Sequence, residues 1–240
     1  MGQWIELKAA DGQAVTAWQA EPAGAPRGAV VVLQEIFGVN AHIRAVAEGY
    51  AAEGYLALAP ATFGRVRAGV DLGYDEAAMQ TGMGLKRAAE ALPAPGVLPD
   101  IQAAIDHARQ AGAGKVGVVG FCWGGLLAWR AASGCAHLSW RAASGCAHLS
   151  AAVCYYGGGM TAPAELALQP RVPVQAHLSD NDKSVPLEGV AALRQAHPAV
   201  DVHLYPAPHG FNCDRRAAWN EAAATLARQR TLAFFAQHLR

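Results

Sequence analysis

The chain has 240 residues, of which 52% are hydrophobic and 16% charged, which is enough for one sizeable core. Its 19 basic and 19 acidic residues cancel, so charge gives no indication of binding to nucleic acid or to an anionic membrane surface. We find no secretory pattern and no apolar run of membrane-spanning length, and the five cysteines form no close pairs. We therefore expect one cytoplasmic domain over residues 1–240, without nucleic-acid or membrane partners.

The hydrophobic pattern predicts strands that alternate with helices. In chain order, the predicted strands are 4–7, 15–18, 29–33, 55–59, 115–119, 151–156, 172–178 and 202–206. The predicted helices are 41–53, 76–92, 100–110, one that starts near 125, 187–195 and 214–238. Asp11-Gly12 indicates an N-terminal antiparallel hairpin between the first two strands. The alternation that follows predicts an α/β fold, with a mostly parallel twisted sheet covered by helices on both faces.

The pentapeptide Gly120-Phe121-Cys122-Trp123-Gly124 joins a predicted strand to a predicted helix. A strand followed by Gly-x-nucleophile-x-Gly and then by a helix is the nucleophile-elbow pattern of α/β-hydrolases, here with Cys in place of Ser. The helix N-terminus would also favour a thiolate at Cys122. The alternative interpretation is a glycine-rich turn with a buried structural cysteine, because a motif this short also occurs by chance.

Two later loops supply an acid and a base in the chain order that a hydrolase triad on this fold requires. Asp182 follows the predicted strand 172–178, and His209 follows the predicted strand 202–206 and precedes a glycine. Asp180 is the alternative acid, because Asp in such loops often only forms turns. We favour Asp182 for its spacing to Val185-Pro186.

Taken together, these segments resemble the dienelactone hydrolase family, the carboxymethylenebutenolidase-like branch of the α/β-hydrolase superfamily, which has a cysteine nucleophile. The resemblance covers nearly the whole chain. It implies the α/β-hydrolase fold, cleavage of a small carboxylic ester or lactone, and neither cofactor nor metal. The segments that carry it are Gln34-Glu35-Ile36-Phe37-Gly38-Val39-Asn40, Gly120 to Gly125, Tyr155-Tyr156-Gly157, Asp182 with Val185-Pro186, and His209-Gly210-Phe211.

Roles follow from the triad pattern and from the resemblance. Cys122 is expected to attack the carbonyl carbon and form a thioester, with His209 as the base and Asp182 orienting it. The resemblance places Glu35 beside the resting thiol, where it takes part in thiol activation. The backbone N–H groups of Ile36 and Trp123 are expected to form the oxyanion hole. The expected substrate-pocket residues are Phe37, Met79, Tyr156 and Phe211.

The sequence departs from the family at the arginines that hold a substrate carboxylate. Residues 76–81, where one such arginine would fall, contain none, and after His209 the first arginines are Arg215 and Arg216. Arg65 or Arg67 could substitute. Because Met79 and its neighbours suggest an apolar rim, a neutral ester or lactone is the expected substrate.

Two other functions remain open at this point. One is a thiol-based redox or stress protein, and the other is a non-catalytic binding protein on the same scaffold. His42 is expected to be an ordinary helix residue, and the cysteines other than Cys122 are expected to be small apolar fillers. No Cys/His spacing indicates a zinc site.

An eleven-residue segment, 129–139, is repeated without change as 140–150. A tandem duplication or an engineered insertion explains two identical copies. Gly134 and Gly145 are possible helix ends, so we expect the helix to stop near one of them and the surplus copy to form a short helix or loop. We expect a monomer, with a domain-swapped dimer through the duplicated segment as the alternative.

Overall fold

The computed structural model of the protein describes residues 2–134 and 146–239. The strands are β1 (Gln3–Lys8), β2 (Ala14–Ala20), β3 (Ala29–Leu33), β4 (Leu56–Pro60), β5 (Val116–Phe121), β6 (Ser133–Gly134), β7 (Leu149–Tyr155), β8 (Gln169–Pro170), β9 (Val174–Asn181) and β10 (Asp201–Pro208). The helices are α1 (Ala41–Ala52), α2 (Glu76–Glu90), α3 (Leu98–Gln110), α4 (Trp123–Ala132), α5 (Pro163–Leu166), α6 (Leu187–Ala196) and α7 (Glu221–His238).

Eight of these strands form one sheet in the order β1-β2-β4-β3-β5-β7-β9-β10. The hairpin β1-β2 is antiparallel and joins β4 in antiparallel fashion, whereas the strands from β4 to β10 are parallel to their neighbours. From the centre of the sheet, the chain runs from β3 to β4 towards one edge and from β5 to β10 towards the other edge. The crevice at such a reversal of strand order, at the carboxyl ends of β3 and β5, is where α/β sheets bind ligands. The predicted fold class is confirmed.

The sheet separates two hydrophobic cores, one on each face. The side chains of β3 show the division, because Val31 and Leu33 pack against the core that includes α3 and α4, whereas Val30 and Val32 pack against α1 and α7. All five residues of β3 are buried. The continuous apolar character of this strand is therefore explained by helices on both of its faces.

A buried polar network links the sheet to α7. The Tyr155 hydroxyl lies 2.7 Å from the Thr231 hydroxyl, which lies 3.0 Å from Nε2 of His177. Nδ1 of His177 lies 2.8 Å from the Tyr205 hydroxyl. Burial holds the pKa of His177 well below its ordinary value, so the ring is a neutral structural group, and each of its nitrogens has a partner.

The structure differs from the predicted elements at one site-forming helix. We predicted that the last helix starts at 214, but α7 begins at Glu221, where the Asn220 side chain accepts a hydrogen bond from the Ala223 N–H. Asn is a favoured N-cap residue. Residues 211–219 instead form turns, and this loop carries Arg216. No helix in the described residues is both long enough and apolar enough to cross a membrane.

The first repeat copy is described as far as Gly134 and the second from Cys146. Helix α4 ends at Ala132, and Ser133–Gly134 then pairs with Gln169–Pro170 in a short antiparallel bridge. The Cys146 N–H donates a 2.8 Å hydrogen bond to the Ala131 carbonyl. The chain thus leaves the end of α4 and returns to it. The predicted surplus segment and the predicted swap lie outside the described residues.

Deleting residues 135–145, which yields the same sequence as deleting one repeat copy, should leave the protein folded. After the deletion, Cys146 would become residue 135. Its N–H already bonds the carbonyl of Ala131, which would then be the residue four positions earlier, as in a helix. We expect the free energy of unfolding to rise by about 1–2 kcal/mol, because a shorter loop costs less entropy to close. Urea unfolding and ester hydrolysis would measure this, with a Gly/Ser segment of equal length as the control. Loss of folding in the deletion alone would show that the extra copy is not surplus.

Candidate active site

The turn from β5 into α4 holds Cys122 in an unusual backbone conformation. Cys122 has φ 55° and ψ −116° and precedes the first residue of α4. The glycines on either side make this turn possible: a Cβ on Gly120 would collide with the Gly124 carbonyl, and a Cβ on Gly124 would collide with the Leu33 carbonyl. Strain of this kind in a non-glycine residue is concentrated at functional sites.

Asp182, His209 and Cys122 form one chain of hydrogen bonds. Asp182 Oδ2 lies 2.6 Å from Nδ1 of His209, and its Oδ1 accepts a 2.7 Å hydrogen bond from the Ser184 N–H. The Cys122 side chain is the other hydrogen-bond partner of the His209 ring. The alternative acid, Asp180, lies on β9 and is exposed. Of the two candidates, the structure places Asp182 against His209.

The surroundings of His209 favour its protonated form. Burial opposes a charge on the ring, but the hydrogen bonds to Asp182 and Cys122 outweigh burial and raise the pKa of His209 to about 10. Asp182 is 7% exposed, so its interaction with the ring is little screened by solvent. At neutral pH, the arrangement therefore suits an imidazolium beside the Asp182 carboxylate.

Glu35 lies in the loop after β3 and is almost completely buried, at 1% exposure. Its Oε1 lies 3.2 Å from a guanidinium nitrogen of Arg216. We predicted Glu35 beside the Cys122 thiol. In the structure the thiol interacts with His209, and Glu35 forms an ion pair with Arg216. Arg216 also interacts electrostatically with Cys122, so carboxylate, guanidinium and thiol share one neighbourhood.

A cavity of about 560 Å³ opens onto Cys122 and His209. Ile36, Phe37 and Met79 are among the residues that line it. The backbone N–H of Trp123 is the first of α4, so it has no acceptor within the helix.

Tyr156 and Phe211, which we predicted in the pocket, are fully buried and are not among its lining residues. Tyr156 packs edge-on against the His209 ring at 5.0 Å between ring centres, and Phe211 packs against Tyr156 at 5.2 Å. They lie behind His209 and support its ring.

Three cationic side chains line the cavity, and we did not predict them there from the sequence. They are Lys86, Lys183 and Arg216. Lys86 follows Met79 by two helical turns on α2, so the helical spacing from Met79 could have indicated it. Arg65, the predicted substitute, instead pairs with Asp100 and Asp11 and does not line the cavity; nor does Arg67. The predicted apolar rim is therefore incomplete.

Comparisons with known proteins point to one family. A family model described as the dienelactone hydrolase family matches residues 15–239. The carboxymethylenebutenolidase of Pseudomonas putida is 32% identical over 239 residues, with 97% of this chain and 95% of that protein covered. The crystal structure of a Klebsiella pneumoniae protein assigned as a dienelactone hydrolase superposes with a TM-score of 0.81 at 30% identity and covers 99% of both chains. A dienelactone hydrolase-like promiscuous phosphotriesterase from metagenomic libraries, 20% identical, has the same fold, with a TM-score of 0.74 and coverage of 99% of this chain and 98% of its own.

Replacing Asp182→Asn should lower the pKa of His209 from about 10, because the variant loses the anionic partner that opposes the effect of burial. NMR titration of ¹³C-labelled histidine would measure the shift. A raised pKa stabilises the native state fully below pH 6.5, the ordinary value, and that contribution is lost as the pH rises through about 10. The stability difference between the two proteins should therefore shrink over that interval. Asp180→Asn is the matched control, and an equal shift in both variants would contradict the assignment.

Proposed function

Because the chain belongs to the dienelactone hydrolase family, we propose that it hydrolyses small carboxylic esters or lactones through a thioester on Cys122. The observation that carries the proposal is the hydrogen-bond chain from Asp182 through His209 to Cys122, at the floor of an open cavity. A nucleophile, a base and a group that orients the base are the three parts that acyl transfer requires.

The first half-reaction uses the protonated state of His209. With the proton on the imidazole, Cys122 is a thiolate, and it attacks the carbonyl carbon of the substrate to give a tetrahedral oxyanion. When this intermediate collapses, the carbon–oxygen bond of the ester breaks and His209 gives its proton to the leaving alkoxide. The acyl group is then a thioester on Cys122, and the alcohol is free, or remains tethered if the substrate is a lactone.

The second half-reaction regenerates the enzyme. His209, now neutral, takes a proton from water, and the resulting hydroxide attacks the thioester carbonyl. The carbon–sulfur bond breaks, the acid product leaves, and the thiolate–imidazolium pair is restored. Asp182 keeps the His209 ring in the orientation that both steps need, because its Oδ2 lies 2.6 Å from Nδ1 of the ring.

The oxyanion in both half-reactions requires hydrogen-bond donors. The Trp123 N–H at the start of α4 and the Ile36 N–H in the loop after β3 are our candidates, since both follow strands that end at the same crevice. One donor of this kind contributes about 3 kcal/mol to stabilisation of the transition state. The Trp123 ring is stacked on Phe63 at 4.8 Å, which would keep the first helical turn in place.

The lining charges favour a substrate that carries a carboxylate. Lys86, Lys183 and Arg216 provide three positive charges. Glu35 offsets the charge of Arg216, and Asp182, which also lines the cavity, is paired with His209. We therefore propose a carboxylated substrate in place of the neutral one that the sequence favoured. A substrate carboxylate could also compete with Glu35 for Arg216, which would free Glu35 to act near the thiol, as the family resemblance implies.

Replacing Cys122→Ala should abolish hydrolysis of an activated ester, with a fall in kcat/KM of at least about 10³-fold, because a nucleophile acting with its base contributes at least that much. Intact-mass spectrometry during turnover should detect an acyl adduct on the parent protein and none on the variant. Cys146→Ser, which changes a half-buried cysteine outside the cavity, is the control. Equal rates in parent and Cys122→Ala would refute the thioester. Oxidation of Cys122 without ester turnover would favour the redox function, and ligand binding without turnover would favour a binding protein.

Replacing Lys86→Met should raise KM for a carboxylated ester roughly fivefold, the effect of losing about 1 kcal/mol from a half-exposed ion pair. The KM for the matching neutral ester should not change. Lys115→Met, at the opposite end of β5, is the control for loss of a lysine. A parallel rise in KM for both esters would show that Lys86 does not select for charge.

A further inference from the structure

A second group of chemically reactive side chains lies beside the site. Glu35, His42 and Cys213 come from the loop after β3, from α1 and from the loop before α7, and all three are buried. Their ligand atoms lie within 4.8 Å of one another. Carboxylate oxygen, imidazole nitrogen and thiolate sulfur are the donors that bind Zn²⁺ in proteins.

Two atoms of this group have no hydrogen-bond partner among the described residues. They are Oε2 of Glu35 and Nε2 of His42. Glu35 is 1% exposed and His42 is 6% exposed, so solvent does not satisfy these atoms. Buried polar atoms are normally paired, and each exception requires an explanation. A cation bound by both atoms would supply it, since both present lone pairs.

Surrounding groups contact two of the three side chains. Nδ1 of His42 lies 3.2 Å from Oδ1 of Asp214, which leaves Nε2 as the nitrogen for the metal. A carboxylate on the far nitrogen is the common second partner of a metal-bound histidine. The Tyr74 hydroxyl bonds Cys213 and accepts a 3.0 Å hydrogen bond from the Asn40 side chain.

The distances between the three ligand atoms, at most 4.8 Å, are close to those in a zinc site. Zinc bonds of about 2.0–2.3 Å in a tetrahedral arrangement separate the ligand atoms by roughly 3.3–3.8 Å, so a contraction of about 1 Å closes the site. Access is also present, because His42 and Asp214 line a separate open cavity of about 340 Å³. Sulfur and nitrogen donors exclude Mg²⁺ and Ca²⁺ as the preferred ions.

We propose that Glu35, His42 and Cys213 bind one Zn²⁺ or a similar thiophilic divalent cation, and that the bound metal inhibits the hydrolase by holding Glu35. On binding, Cys213 releases its proton to solvent, His42 binds as the neutral ring, and no electron is transferred. Glu35, the Cys213 thiolate and Asp214 beside His42 then supply three negative charges, which balance the cation and Arg216. The inhibition rests on the proposed function, whereas the binding does not.

Titration of the reduced full-length protein with Co²⁺ tests the binding directly. We expect one equivalent of Co²⁺ to produce a thiolate-to-cobalt charge-transfer band, which added Zn²⁺ removes. Cys213→Ser and His42→Gln should each lose the band, so that a folding defect in one variant still leaves the other to decide. Cys122→Ala and Cys154→Ser, which changes a buried cysteine of β7 outside the cluster, should keep it. Absence of the band in the parent, or its loss in Cys122→Ala, would overturn the proposed site.

Steady-state ester hydrolysis tests the inhibition when Zn²⁺ is titrated into a buffer that is otherwise free of metal. Cys213→Ser and His42→Gln should hydrolyse the ester at the parent rate but need at least about tenfold more Zn²⁺ for half-inhibition. Equal sensitivity of parent and variants would refute inhibition through this site. If none of the proteins hydrolyses the ester, the proposed function fails, and the Co²⁺ spectrum still decides whether the metal site exists.

Discussion

The close approach of the β5–α4 turn to the end of β3 is the constraint from which the rest of the site follows. Gly124 lies against the Leu33 carbonyl so tightly that no Cβ fits between them. This contact fixes α4 against the sheet and leaves Cys122 with φ 55° and ψ −116°. Such a conformation costs on the order of 1–3 kcal/mol, and the buried surroundings of α4 oppose its relaxation. The packing around α4 thus holds the thiol at the carboxyl end of the sheet before any substrate arrives.

The parallel sheet then brings polar groups together from loops that are far apart in sequence. Glu35 follows β3, Cys122 follows β5, Asp182 follows β9 and His209 follows β10. Each loop is anchored by the strand before it, and Asp182 is held further by the Ser184 N–H. A low-exposure carboxylate that orients an imidazole needs little rearrangement during a reaction, and preorganisation of this kind is the main source of electrostatic stabilisation in enzymes.

The sequence predicted the parts of this arrangement that have local signals. The elbow glycines, and an acid and a base each directly after a strand, could be read in order along the chain, and the fold class followed from alternating strands and helices. Arg216 could not be placed in the same way, because we predicted a helix from 214, whereas the loop before Asn220 folds over Glu35. Lys86 was missed although Met79, which we predicted in the pocket, lies two helical turns before it on the same face of α2. The catalytic roles stay predictions.

Glu35 takes part in both of the chemistries that we propose for this region. Its Oε1 is held by Arg216, whereas its Oε2 is buried without a partner among the described residues. The carboxylate also lies beside His42 and Cys213. A carboxylate with one satisfied oxygen and one unsatisfied oxygen responds to whatever supplies a positive charge on either side. A substrate carboxylate that draws Arg216 away and a cation that binds Oε2 would therefore act in opposite directions on the same group. Release of Oε1 from Arg216 would free the carboxylate to act near the thiol, whereas a metal bound to Oε2 would hold it in place.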